Sequence, residues 1–192
     1  MLKIIMAVLL AATGTAAAAG PTETVKSAVQ QVFAQPDGSA VKTVSTAERR
    51  AQIRKITETL FDFEEMSQRS LGSAWASASS AEQKEFVRLF GSLIANAYMG
   101  RIEQYAGEPI AYVDEKIEGD DARVKSEVTT PKGSAVGIEY RLYRATDGRW
   151  TVYDIYVDGF SLVGSYKAQF NRMLQRGSFA DLLKQLRQKA GS

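Results

Sequence analysis

Neither cysteine nor histidine occurs anywhere in the 192 residues. That double absence excludes disulfide frameworks, thiol nucleophiles and Ser-His-Asp or Cys-His catalysis, and it removes the usual ligands of zinc, copper and haem. A charge excess of one sign is lacking too. Lys and Arg number 24 against 22 Asp and Glu, a formal charge of +2 with no dense basic block, which is far from the electrostatic footprint of a nucleic-acid binder. No G-x-x-x-x-G-K-[ST] loop is present to cradle the phosphates of a nucleotide. The carboxylates Glu64, Glu65, Asp114, Glu115, Asp120 and Asp121 form no D-x-D-x-D-G loop with a closing glutamate, so they read as solvated turns and helix starts, not as a metal site. What remains, 45% hydrophobic and 24% charged residues, suffices to bury the core of one domain.

The N-terminus sets the cellular context. Lys3 supplies a positive n-region, Ile4 to Ala12 an unbroken apolar stretch, and Ala17-Ala18-Ala19 an A-x-A pattern followed by Gly20-Pro21. Nine apolar residues are too few to span a hydrocarbon core of ~30 Å, and Gly14, Gly20 and Pro21 break any helix there. The expectation is a secretory signal peptide over residues 1–19, cleaved after Ala19, and a single exported domain over 20–192 with a charge near +1 once Lys3 is gone. Without a cysteine after the apolar stretch, that product is no lipoprotein.

Helical periodicity dominates the first half. Val25, Ala28, Val29, Val32 and Phe33 predict an amphipathic helix from Thr22 to Gln35, stopped by Pro36-Asp37-Gly38. Ser45-Thr46-Ala47-Glu48 has the S-x-x-E form in which two side chains cap each other's backbone N–H, opening a second helix through Ile53, Ile56 and Leu60. Asp62 to Glu65 repeats that logic for a short helix ending at Gly72. Ser80-Ala81-Glu82-Gln83 predicts the start of a long helix with Phe86, Phe90, Leu93, Ile94, Tyr98 and Tyr105 on one face, ended by Gly107 and Pro109. Gly91 and Gly100 within it predict close packing or a bend, since each costs about 1 kcal/mol against alanine.

After Pro109 the period becomes two. Ile110 to Ile117, Ala122 to Val128, Val136 to Tyr143 and Trp150 to Val157 predict four strands joined by the turns Gly119-Asp120-Asp121, Pro131-Lys132-Gly133 and Asp147-Gly148, hence an antiparallel meander. Two C-terminal helices follow, the second opened by Ser178-Phe179-Ala180-Asp181. The class is α+β. In the last strand, strict alternation puts Trp150, Val152 and Tyr156 on one face with Asp154, and Tyr153, Ile155 and Val157 on the other. Asp154 has two readings: a general base in a pocket, or a carboxylate that accepts local donors and fixes geometry.

The run Arg149-Trp150-Thr151-Val152-Tyr153-Asp154-Ile155-Tyr156-Val157-Asp158-Gly159-Phe160-Ser161-Leu162-Val163, continued by Tyr166 and Gln169-Phe170, resembles the C-terminal signature of the MlaC family, the toluene-tolerance auxiliary proteins. Leu71-Gly72-Ser73-Ala74-Trp75 and the helix after Ser80 are similar to the middle region of the same family. Phe160 departs from it, standing where a smaller aliphatic residue is usual. The resemblance implies an NTF2-like α+β cone, a four-stranded antiparallel curved sheet covered by N- and C-terminal helices. It also implies a periplasmic phospholipid carrier of a Gram-negative bacterium, without cofactor, metal or catalytic residues. Its partners would be an inner-membrane ABC transporter complex and an outer-membrane lipoprotein complex, and its cargo a glycerophospholipid.

Such a carrier has a physical requirement. Each buried methylene contributes about 0.8 kcal/mol, so a diacyl lipid with roughly 28 of them holds on the order of 20 kcal/mol of tail transfer energy that water would forfeit. Both tails must be shielded. The expected lining is Val124, Val128, Ile138, Tyr140, Leu142, Trp150 and Val152 from the sheet, with Phe90, Ile94, Tyr98, Phe160, Leu162 and Tyr166 from the helices and the last turn. Two other readings use the same cone. One is a small periplasmic enzyme with Asp154 as base, helped by Tyr153 or Tyr140; the other is an adaptor whose apolar interior is packed core.

Overall fold

A computed structural model describes residues 19–33, 46–103, 108–130 and 133–190. The signal segment, Pro36-Asp37-Gly38, Ser45, Tyr105, Gly107 and the Pro131-Lys132 turn lie outside the described residues. Helices α1 (Pro21–Phe33), α2 (Thr46–Leu60), α3 (Phe63–Leu71), α4 (Ser73–Ser77) and α5 (Ser80–Glu103) precede the sheet. Strands β1 (Ile110–Glu118), β2 (Asp121–Thr129), β3 (Ala135–Arg144), β4 (Trp150–Val157) and β5 (Phe160–Ser161) follow, then α6 (Leu162–Leu174) and α7 (Phe179–Ala190). The α+β class and the antiparallel meander are as expected, in the order β1-β2-β3-β4-β5. The sheet has five strands, not four, because Asp158 and Gly159 both take positive φ, 49° and 83°, and turn the chain back as a tight hairpin. No helix among the described residues is long and apolar enough to cross a membrane.

Caps explain most helix starts. Asp62 Oδ1 accepts the Glu65 N–H at 2.8 Å, and Ser178 and Asp181 cap each other as their spacing implies. At α5 the box lies one residue earlier than expected. Ser79 N–H and Oγ both donate to Glu82, and Glu82 N–H returns to Ser79 Oγ, while the Gln83 amide donates to the Trp75 carbonyl of the unforeseen α4. Those bonds hold the Glu82 carboxyl below its ordinary value. At Gly91 a Cβ would stand 3.5 Å from the Phe63 ring, an ordinary contact, and at Gly100 it would meet open space, so neither position requires glycine for packing.

Two cores form. Val25 and Ala28 of α1 and Leu60 of α2 close over Ala122, Val124, Tyr140, Leu142, Trp150 and Val152 on the inner face of the sheet. The second core lies between helices: Met66 and Leu71, Phe86, Leu89 and Phe90, Val163 and Phe170, then Leu182, Leu183 and Leu186. Its centre is aromatic, with Phe86 and Phe90 both edge-on to Phe170 at 5.3 Å. Phe61 packs against both cores, and the chain there is tied to β4 by a bridge to Val152 and an Asp62 N–H to Val152 carbonyl bond of 2.9 Å.

The Asp62 carboxylate also accepts a hydrogen bond from Tyr143 Oη of β3. That bond, then burial, raises the Tyr143 phenol from 10.0 to about 12, and for Tyr140 burial first, then the neighbouring Tyr112, does the same against the opposing hydrogen bond with Ser126. A phenol whose folded pKa exceeds its unfolded one stabilises the fold fully below the unfolded value and loses that contribution as pH rises through the folded value. Stability is therefore expected to fall between about pH 10 and 12. Urea midpoints across that window should drop less steeply in Tyr143→Phe than in the parent, and an identical slope would refute the assignment.

Candidate functional site

Antiparallel partners share a face, so the register orders the inner face of the sheet into rows. Ala122, Leu142 and Val152 form one row, and Val124, Tyr140 and Ile155 the next. Both pack in the core under α1 and α2, with Ile155 half-buried at its edge. Beyond them run Tyr112, Ser126, Ile138 and Val157, then Ile110, Val128 and Val136. In these outer rows every aliphatic side chain is only half-buried. A contiguous apolar band left partly open at one end of a sheet is a surface built to be covered.

The helical wall meets the same end. Val157 pairs with Phe160 in the β4–β5 hairpin, and α6 starts directly after β5. Asp154 fixes that start. It is 6% exposed, and its oxygens accept from Ile155 N–H at 2.8 Å, Val163 N–H at 3.0 Å and Ser161 Oγ at 2.5 Å. Ser161 Oγ in turn accepts the Gly164 N–H at 2.7 Å and caps α6. With both oxygens engaged by local donors, Asp154 holds geometry and presents no free base. From this anchor Leu162 and Tyr166 extend along the second core, where Tyr166 meets Phe90 edge-on at 5.1 Å. Burial raises the Tyr166 phenol, and the nearby Tyr98 hydroxyl raises it further. Helix α5, which carries Ile94 and Tyr98, packs on α7 and α3.

The expected lining residues thus separate. Val124, Tyr140, Leu142, Trp150 and Val152 are sealed in the sheet core, with Ile138 packed at its margin. Phe90 is sealed in the helical core, with Ile94, Leu162 and Tyr166 at its edge. Val128 lies in the open rows, and Tyr98 beside Tyr166 is half-buried. Phe160 stands apart, 78% exposed at the hairpin. Ile110, Val136 and Val157 belong to the open band and were not among the expected residues. Val157 was assigned to the wrong face: Arg141 pairs with Asp154 but Leu142 with Val152, so Tyr153 is an extra residue. That bulge reverses the alternation, placing Ile155 and Val157 with Trp150 and Val152, and Asp154 with Tyr156 on the opposite face.

An open groove of ≈ 690 Å³ between α6 and α7 is lined by Arg172, Arg176, Asp181 and Lys189 with Met173 as its one large apolar member. Its polarity is unsuited to hydrocarbon.

The sequence profile of the MlaC protein family matches residues 26–188. The intermembrane phospholipid transport system binding protein MlaC of Haemophilus influenzae is 26% identical over 124 residues, which cover 62% of this chain and 58% of that relative's length. A phospholipid-binding protein from Ralstonia solanacearum, solved in complex with a phospholipid, superposes with a TM-score of 0.79 at 28% identity, covering 90% of this chain and 98% of that one. A profile match running through both cores and every strand means that the chain belongs to the MlaC family.

Proposed function

We propose that the protein is a periplasmic phospholipid carrier, exported by the signal peptide at residues 1–19 and working as the single domain 20–192. The observation that carries this reading is the half-open apolar band formed by Ile110, Val128, Val136, Ile138 and Val157 on an otherwise sealed sheet face. Acyl chains lying against it beneath Tyr98 and Tyr166 would leave water, at about 0.8 kcal/mol per methylene. The head group stays near solvent, consistent with the lack of a dense cationic site. The phospholipid complex of the Ralstonia solanacearum neighbour supports the cargo, and the name of the Haemophilus influenzae relative supports a role in transport between membranes.

Bilayer and carrier both satisfy the tails, so transfer is near thermoneutral and direction comes from partners. An inner-membrane ABC transporter complex and an outer-membrane lipoprotein complex fit that need. The carrier performs no covalent chemistry. Native mass spectrometry of protein purified from periplasm, followed by denaturation and lipid extraction, tests the reading. Stoichiometric glycerophospholipid released on unfolding is the expected result. Protein that stays lipid-free and takes up none from vesicles overturns it.

A further inference from the structure

Basic charge gathers in the last two helices. With the turn between them, α6 and α7 hold six of the chain's 24 Lys and Arg but only one of its 22 Asp and Glu, Asp181. The excess is spread along both helices, and its members differ in what they meet. Arg187 turns to α5, where the two oxygens of Glu85 accept from it at 2.7 and 2.9 Å. Arg172, Arg176 and Lys189 form no ion pair among the described residues. All three are exposed and all three line the groove between α6 and α7. A cation in the last turn of a helix complements its dipole, which accounts for a basic residue at the end of each helix but not for cations of both helices lining one groove. The one acid there, Asp181, is committed to the start of α7: its Oδ2 accepts the Ser178 hydroxyl at 2.7 Å and the Ser178 N–H at 2.9 Å. Three unpartnered cations thus face one capping carboxylate.

Shape and lining say what the groove takes. Its ≈ 690 Å³ is far more than a simple anion fills. It is also open and polar, whereas pockets that retain small molecules enclose them in mostly apolar walls. A bilayer surface is a poor occupant, because anchoring on lipid uses apolar side chains that protrude, and Met173 is half-buried within a concavity. Arginine and methionine are the residue types enriched where proteins meet. Exposed cations around one apolar spot complement a chain segment that carries carboxylates on either side of an apolar side chain. We propose that the α6–α7 groove docks an acidic segment of a partner protein, whose carboxylates pair with Arg172, Arg176 and Lys189 while an apolar side chain seats on Met173. The groove shares no residue with the open band of the sheet, so the proposal is independent of what the sheet carries.

The probe is a fluorescein-labelled peptide with glutamates and aspartates on both sides of a central leucine, titrated with the full domain and read by fluorescence anisotropy. Binding should saturate and should weaken as salt is raised. Arg172→Glu/Arg176→Glu should lower affinity by about ten-fold or more, and Arg172→Gln/Arg176→Gln by a smaller factor. Circular dichroism should be unchanged in both, since neither side chain has an ion pair to lose. Arg54→Glu/Lys55→Glu makes the same change in net charge at exposed positions of α2 and should leave affinity within about two-fold of the parent. Met173→Ala should weaken the leucine peptide about three-fold but not a peptide with serine in place of the leucine, a split that a diffuse charge field does not produce. A parent that fails to bind the peptide, or binding that the α2 variant weakens as much as the groove variant does, overturns the proposal. So does a parent that ignores the peptide but sediments with phosphatidylethanolamine–phosphatidylglycerol vesicles and loses this with Arg172→Glu/Arg176→Glu, a result that would make the face a membrane contact.

Discussion

Ile138→Asp is expected to yield folded protein that purifies without phospholipid. Ile138 sits in the first open row, opposite Ser126 on one side and Val157 on the other, at the margin of the sheet core. Half-buried, a carboxylate there keeps part of its hydration while the band is empty. Once an acyl chain lies across the band, that hydration must be given up. Desolvating an unpaired carboxylate costs several kcal/mol even after relaxation. A differential of ~3 kcal/mol lowers affinity by more than 100-fold. Circular dichroism should show an intact α+β spectrum, and native mass spectrometry a mass without adduct. Val113→Asp is the matched control, because Val113 is the 53% exposed bulge residue of β1 and lies off the paired rows. A folded Ile138→Asp variant that retains lipid at parental stoichiometry would place the cargo somewhere other than this band.

The contrast between these two positions shows what sequence can and cannot reveal here. The meander was legible because Gly119, Gly148 and their neighbours punctuate strands whose period of two is plain. The helices were legible because Asp62 and Ser178 announce their starts. Two readings failed for local reasons. Consecutive serines at 79 and 80 offered two capping boxes, and the one with a glutamate partner formed. The alternation in β4 broke at Tyr153, since a bulge leaves the apolar pattern looking regular while exchanging the faces beyond it.

The lining of the site was legible only as a pool of apolar positions. Val124 and Val128 are chemically the same residue two places apart on one face with Ser126 between them, yet one is sealed and the other half-open. The difference goes with the core under α1 and α2, which encloses Val124 and Tyr140 and takes in only Tyr112 and Ile138 of the next row at its margin. How far a helix reaches over a sheet depends on tertiary packing, and no periodicity within the strand records it. Phe160 is expected at the cavity because the family resemblance puts a pocket residue at its position, but it stands 78% exposed after the Asp158-Gly159 turn.

Asp154 gives the sharpest separation between a chemical and a geometric carboxylate. Asp154→Ala removes the acceptor for Ile155 N–H, Val163 N–H and Ser161 Oγ at once, and Val163 is itself buried. Each buried donor left unpaired costs ~1–3 kcal/mol, so the loss should total about 3–5 kcal/mol. For a domain of this size that lowers Tm by about 10 °C. Because the same contacts seat the first turn of α6, Leu162 and Tyr166 lose their anchor, and lipid retention should weaken along with stability. Asp154→Asn should behave differently. Its Oδ1 accepts the two backbone N–H groups as before, while its amide donates to Ser161 Oγ, so the one donor it releases is the hydroxyl proton of the half-buried Ser161. Stability within about 1 kcal/mol of the parent and full lipid loading are expected. A proton-transferring base would show the opposite order, with the amide as disabling as alanine and neither variant much less stable. Unfolding curves and lipid stoichiometry of the two variants side by side therefore decide between the roles, and an Asp154→Asn protein that folds normally but carries no lipid would overturn the geometric one.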